Sequence, residues 1–432
     1  MVAARVLQSI VVTTLAITID CWTVPLTKQA THNVKRRFHS LFSVPIILSS
    51  STVLSEEILD TYGVSSWLVC GDGDLSYSAA IAPHLSQSNT SLTATVLEDQ
   101  STHHSVYSNS KVHTETIISS SSQQQQQHNH HDDDDGNSAT VCFGIDATRL
   151  EHHFPGQKFD RIQFNFPHWR GKSNNRRNRE LLTAFFASAV QVLSSAPRRQ
   201  QQQQQQHNNS DGDGGGEIQI ALCQNQGGFQ SRTMQEWKGS WMAAMYAAEH
   251  GMLLKSVDAY QPIHDLSSHR GVDRPFSIGR EQPQMYRFGF PNNKAATPVD
   301  RDLQLCCRHE LHIVLPDSSP SPEMTLEDIV EGNAIQQFSQ NNVVSEGIKV
   351  DVPLREIRTT AEGETMVIFL MVYRGESLPL TRASVDSYRA KLETELGKIL
   401  HLPENRVGRL VSKPFPYTAL DAVIEEHKNV QR

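Results

Sequence analysis

A short apolar run that ends in a glycine turn and passes straight into a helix constrains this chain most. Ser65-Ser-Trp-Leu-Val-Cys70 has the composition of a buried strand, and Gly71-Asp-Gly-Asp-Leu-Ser76 follows without a break. Tyr77 to Leu85 then has helical spacing, with Pro83 near its end. Further strands are predicted at Leu92–Leu97, Val141–Ile145, Phe159–Phe166, Glu217–Cys223, Leu253–Tyr260 and Met285–Phe290. Helices are predicted at Arg179–Leu193, where Leu182, Phe185, Phe186, Ala189 and Leu193 recur at helical spacing, and at Trp241–His250, closed by Gly251. Strands alternating with helices predict an α/β fold with a mostly parallel, doubly wound sheet.

The chain has 432 residues, and at ~100–200 residues per domain two or three domains are expected. A second unit begins near Leu303. Its order is strand Glu310–Leu315, helix Leu326–Phe338, strands Ile348–Leu354 and Thr365–Tyr373, helix Arg382–Leu400 and strand Arg406–Val411. That βαββαβ order predicts a ferredoxin-like domain over 303–415. The first domain is expected over 62–292, with disordered inserts at about 100–138 and 198–216. Ser119 to Asp135 runs through Ser, Gln, His and Asp blocks, and Arg198 to Gly216 is Gln-rich, so neither buries enough apolar surface to offset its ordering entropy. These tracts account for much of the mean hydropathy of −0.43. Residues 1–55 are set aside as a leader or targeting segment: Val6–Trp22 is mostly apolar yet short for a membrane span, and Lys35, Arg36 and Arg37 follow.

A net charge of −8 excludes binding to nucleic acid through bulk charge. It leaves room for a local basic stripe, and Arg170, Lys172, Arg176, Arg177 and Arg179 form one. Three of the six cysteines end or interrupt apolar runs and read as small buried hydrophobes. With no CxxC pair, a reducing compartment fits, and no metal site is expected.

The chemistry-bearing residues stand at successive strand ends. Gly71 and Gly73 allow a ligand close to the backbone, while Ser76 stands where a dinucleotide site carries its third glycine. Glu98 ends the second strand, placed to accept hydrogen bonds from ribose hydroxyls, and Asp146 ends the third, placed to receive an adenine amino group. With Asp72, these acids suit S-adenosylmethionine better than a phosphate-bearing cofactor. The fourth strand ends in Phe164-Asn-Phe-Pro-His168. Asn165 offers an amide to a base edge, Phe166 a stacking face, Pro167 a stiff turn and His168 a proton acceptor. The basic stripe starts two residues later.

Together these peptides resemble the 25S ribosomal RNA (uridine-N3)-methyltransferase-like family. Val69-Cys-Gly-Asp-Gly-Asp-Leu-Ser76, Ile145-Asp-Ala-Thr-x-Leu150 and above all Phe159-Asp-Arg-Ile-x-Phe-Asn-Phe-Pro-His168 carry the likeness. Gly171, Asn178-Arg-Glu-Leu-Leu182, Trp241 with Ala247 and Gly251, and Tyr286 with Gly289 extend it. The resemblance implies a Rossmann-like class I methyltransferase that methylates N3 of a uridine in large-subunit ribosomal RNA. It implies that Gly71, Asp72, Gly73, Ser76, Glu98, Asp146 and Ala147 hold S-adenosylmethionine and that Asn165, Phe166, Pro167 and His168 face the base. Arg170, Lys172, Arg176 and Arg177 would meet the RNA backbone. The C-terminal region resembles, more loosely, a ferredoxin-fold anticodon-binding domain, which extends the partner class to transfer RNA. No stable membrane association is expected. The family implies the nucleolus or cytoplasm, and a targeting leader would imply an organelle. Two other classes stay open at this level: a non-catalytic RNA-binding scaffold and a nicotinamide-dependent oxidoreductase.

Overall fold

The computed structural model describes residues 61, 63–125, 138–194, 215–266, 271–276, 278, 282–291, 298–315, 333–361, 363–400 and 411–430. The leader, the centres of both low-complexity tracts, Leu326 to Gly332 of the expected helix and residues 406–410 of the last expected strand lie outside the described residues.

The first sheet has seven strands: β1 (Ser66–Cys70), β2 (Ser91–Thr95), β3 (Ala139–Cys142), β4 (Arg161–Asn165), β5 (Glu217–Leu222), β6 (Leu253–Ala259) and β7 (Gln284–Gly289). Their order is β3-β2-β1-β4-β5-β7-β6. The first five run parallel, and β7 is antiparallel to both β5 and β6. This is the Rossmann-like sheet expected from the sequence. The strand order reverses between β1 and β4, so their carboxyl ends border the crevice where an open α/β sheet binds its ligand. Register pairs Cys70 with Phe164, so the glycine turn and Asn165 emerge side by side.

Helix α1 (Ser76–Gln87) follows β1 and continues through Pro83. Its N-cap, Leu75, is left-handed with φ 69° and makes no side-chain capping bond. Two acids take that role. Asp72 Oδ2 accepts the Ser78 N–H at 2.7 Å, and Asp74 Oδ1 accepts Ser76 Oγ–H at 2.6 Å and Ser76 N–H at 3.2 Å. The orphan amides of the first turn are thereby satisfied by the chain itself.

Residues 100–125, expected within a disordered insert, form two helices. They are α2 (Gln100–Val106), capped by Asp99 accepting the Thr102 N–H, and α3 (Ser110–Gln125). His103, Tyr107, Ser110 and Ile117 are buried, and Ile117 belongs to the core cluster of β1, β2 and α1. Polar bonds supplement this thin apolar face: Ser86 Oγ–H to Ser120 O at 2.9 Å and Ala139 N–H to Ser121 Oγ at 2.6 Å. Composition hid these helices because their packing face is largely His, Ser and Tyr.

After β3, a 3-10 turn (Ala147–Arg149) leads into α4 (Leu150–His153). α5 (Asn175–Val192) buries Leu182, Phe185, Phe186 and Ala189, with Asn174 as its N-cap. α6 (Met234–Gly239) and α7 (Ala243–Glu249) follow β5, and Gly251 ends α7 at φ 80°. Among the described residues no helix is long and apolar enough to cross a membrane.

The second sheet is β8 (Leu305–Leu315), β9 (Ile348–Thr359), β10 (Thr365–Gly375) and β11 (Phe415–Pro416), in the order β11-β8-β10-β9. With α8 (Asn333–Phe338) and α9 (Arg382–Leu400) it has the ferredoxin-like plan. β8 begins earlier than expected because Cys306 and Cys307 are fully buried in it. The described part of this edge is β11, and α10 (Leu420–Val430) extends the unit past residue 415. Trp237 of α6 is buried and donates Nε1–H to Pro414 O at 3.1 Å, so β11 is tied to the first sheet. Thr418 Oγ–H to Ser231 O at 3.0 Å is a second tie.

Candidate active site

A cavity of about 410 Å³ opens at the carboxyl ends of β1, β2, β4 and β5. It falls in the ~300–1,000 Å³ range of small-molecule sites. Of the residues singled out in the sequence, Gly71, Asp72, Gly73, Ser76, Glu98, Asn165, Phe166, Pro167, His168 and Arg170 line it.

The glycine turn forms one wall. Gly71 has φ 57°, and a Cβ placed on it would lie 2.8 Å from Phe164 Cε2, so backbone shape and space both require glycine there. His103 Nε2 lies 2.7 Å from Gly73 O and His113 Nδ1 lies 2.8 Å from Asp74 O, each donating to a carbonyl. The helices missed in the sequence thus brace the turn. Asp72 lines the cavity, but its carboxyl is buried against the α1 N-terminus, and burial pushes it up to about 7. The amides of Ser76 and Ser78 are already taken. A diphosphate therefore meets no open helix N-terminus, which argues against a nicotinamide dinucleotide.

Asp146 and Ala147 do not line the cavity. Asp146 Oδ1 accepts Thr148 N–H at 2.9 Å and Oγ–H at 2.7 Å, so this acid caps the 3-10 turn after β3. Glu98 does line it, with its side chain 11% exposed and Oε1 3.0 Å from Arg170 Nη2.

The opposite wall is the β4 end. Tyr77 Oη–H donates to Gln163 Oε1 at 2.9 Å, and Gln163 Nε2 donates to Asn165 Oδ1 at 2.8 Å. This relay fixes the Asn165 amide with its oxygen occupied. Asn165 Nδ2 is buried and has no hydrogen-bond partner among the described residues. Phe166 is left-handed at φ 48°, an uncommon conformation for an aromatic residue and typical of strain kept at functional sites. Its ring meets Tyr260 and Phe276 edge-on at 5.3 and 5.2 Å. His168 Nδ1 lies 2.5 Å from Trp169 O, which sets the Nδ1–H tautomer and makes Nε2 the acceptor nitrogen.

Several lining residues escaped the sequence analysis. His264, Asp265 and Leu266 follow β6, and Gly271 and Phe276 lie further along the same connection. Burial pushes His264 down to about 4. Asp273 Oδ2 accepts the Ser108 N–H at 2.9 Å, linking this connection to the turn between α2 and α3. No motif marks the segment. Trp169 had a findable signal, an aromatic beside the basic stripe; it is 41% exposed, with the Arg177 guanidinium 5.2 Å from its ring centre.

The basic stripe divides by role. Lys172 is exposed, and Arg176 and Arg177 share Glu180, each at 3.0 Å. Arg179 donates to the carbonyls of Lys238 and Ser240 and is structural. The first turn of α5 contains no acid.

The family model described as rRNA (uridine-N3-)-methyltransferase BTM5-like matches residues 68–264. The chain is 34% identical over 145 residues to the ferredoxin-fold anticodon-binding domain-containing protein 1 homolog of Mus musculus, covering 32% of this chain and 20% of that protein. It is 30% identical over 221 residues to ferredoxin-fold anticodon-binding domain-containing protein 1 of Homo sapiens, covering 49% of this chain and 29% of that one. The chain thus spans less than a third of the length of these curated relatives. An S-adenosylmethionine-dependent methyltransferase from Clostridium acetobutylicum aligns at 9% identity and a TM-score of 0.28, over 54% of this chain and 88% of that chain. S-adenosylmethionine, the cofactor expected from the sequence, is borne out by the methyltransferase family match. The stretch that matches the BMT5-like family model, residues 68–264, includes the Phe159–His168 peptide that carries the resemblance in the sequence.

Proposed function

We propose that the chain is an S-adenosylmethionine-dependent methyltransferase acting on ribosomal RNA, at N3 of a uridine. The observation that carries this reading is Asn165 Nδ2, a buried amide donor without a partner, in a side chain that lines the cavity. N3 of uridine lies between two carbonyls, and an amide N–H is matched to either. As the N3 proton leaves, negative charge spreads onto those oxygens, and a fixed donor bond to one of them strengthens. The Tyr77–Gln163 relay holds the amide in place beforehand. His168 Nε2 is the candidate proton acceptor.

Bound S-adenosylmethionine supplies an electrophilic methyl group, and Gly71, Gly73, Ser76 and Glu98 line the part of the cavity suited to hold it. Phe166 and Pro167 shape the base pocket, and the uridine must leave its stack to enter. Lys172, Arg176 and Arg177 are our candidates for contacts to phosphates. Arg176 and Arg177 stand in the first turn of α5, where cations oppose the helix dipole, with Glu180 as their shared partner. We assign the methyltransferase domain to 62–292 and the ferredoxin-like domain to 303–415, the latter as a docking surface for ribosomal or transfer RNA. A nucleolar or cytoplasmic location accompanies this substrate, and an organelle would if the leader targets one.

Asn165→Ala tests the pocket. Methyl transfer to ribosomal RNA is expected to fall about 10²–10³-fold, the usual cost of one donor to developing charge, with cofactor affinity unchanged by calorimetry. Full activity in this variant would contradict the assignment.

A further inference from the structure

The acid placed for a ribose and the first cation of the basic stripe hold each other. Arg170 Nη2 lies 3.0 Å from Glu98 Oε1, and both residues line the cavity. Their settings differ: the Glu98 side chain is 11% exposed and that of Arg170 is 67% exposed. Glu98 lies three residues past the end of β2, whereas Arg170 reaches it from the loop between β4 and α5. A ribose that engages Glu98 through both hydroxyls competes with Arg170 for Oε1. The displaced guanidinium then stands beside exposed Trp169 and two residues before Lys172, on the side where RNA would enter.

We infer that the Glu98–Arg170 pair couples the two substrates: the cofactor ribose takes Glu98, and Arg170 turns to an RNA phosphate. This rests on the S-adenosylmethionine reading of the cavity. The loaded protein then binds RNA more tightly than the empty one, and the favoured order is cofactor before RNA. Linkage makes the effect reciprocal, so RNA tightens the cofactor by the same factor. Because Arg170 is mostly exposed, the pair has the strength of a surface ion pair, which sets the coupling at roughly two- to fivefold.

The test titrates S-adenosylhomocysteine, which has the ribose and lacks the sulfonium charge, into the full chain and its Arg170→Ala and Arg170→Lys variants by calorimetry. Arg170→Ala is expected to bind it roughly two- to fivefold more tightly than wild type, with Arg170→Lys between them. Oligouridylate binding is then measured across a salt series, with and without S-adenosylhomocysteine. On wild type the ligand should tighten the RNA by the same factor and steepen the salt dependence by about 0.7, one added phosphate contact. Arg170→Ala should show neither change. Weaker or equal S-adenosylhomocysteine binding in Arg170→Ala overturns the inference, and weaker binding makes Arg170 a positioning residue for Glu98. An unchanged salt slope on wild type overturns it too, since Arg170 then adds no phosphate contact. Wild type that binds no S-adenosylhomocysteine removes the cofactor reading itself, and the coupling with it.

Discussion

At the residue scale, polar side chains rather than apolar ones separate this cavity from a plain strand-to-helix turn. Asp72 shows how one carboxyl can serve the fold. Burial pushes it from 3.8 up to about 7, while its Oδ2 accepts the Ser78 N–H. Between about pH 4 and pH 7 the folded state holds a proton that the unfolded state has released. The stabilising contribution of Asp72 is therefore full below about pH 4 and is lost as pH rises through about 7. Asp72→Asn keeps an oxygen for Ser78 and removes the buried charge. In denaturant titrations at about pH 8 the variant should exceed wild type by roughly 1–3 kcal/mol, and the difference should shrink toward about pH 4. Equal stability at both pH values would mean that Asp72 does not titrate in this way.

At the scale of elements, what the sequence disclosed follows its apolar periodicity. β1, α1, α5 and α9 announce themselves because apolar residues such as Trp67, Leu68, Ile81, Phe185 and Leu392 fall at strand or helix spacing and are buried. α2 and α3 do not, since their buried positions include His103 and Ser110, which composition reads as solvent-facing. The strand-end residues Gly71, Glu98 and Asn165 were visible as candidates because a parallel sheet has only one end at which to bind. The cavity wall after β6 was not visible, because His264 and Phe276 reach the cavity through chain folding with no local pattern. α2 offers a direct check. His103→Ala removes the bond to Gly73 O and leaves a hole where the ring is fully buried. Roughly 2–4 kcal/mol of stability should be lost, with weaker S-adenosylhomocysteine binding by calorimetry as the glycine turn loosens. If stability and binding both stay at wild-type values, residues 100–125 do not brace the site.

At the scale of the whole molecule, two sheets share one continuous core. Its buried residues run from Leu68 and Phe186 in the first sheet to Phe369 and Phe415 in the second. Trp237 stands at the join, and the same short helix leads through Ser240, which Arg179 holds, to Trp241 in the cavity wall. The ferredoxin-like sheet is thereby linked to the loops that border the cavity. The net charge of −8 conceals this arrangement, because Asp132 to Asp135 supply four of those charges far in sequence from Arg170. The central claim, methylation of a uridine at N3, is tested most directly by nucleoside mass spectrometry. The full chain is incubated with methyl-labelled S-adenosylmethionine and ribosomal RNA from cells lacking the protein. Label in 3-methyluridine, lost with Asn165→Ala, is the expected result. Label in another nucleoside, or none from a protein that binds the cofactor, would contradict the account.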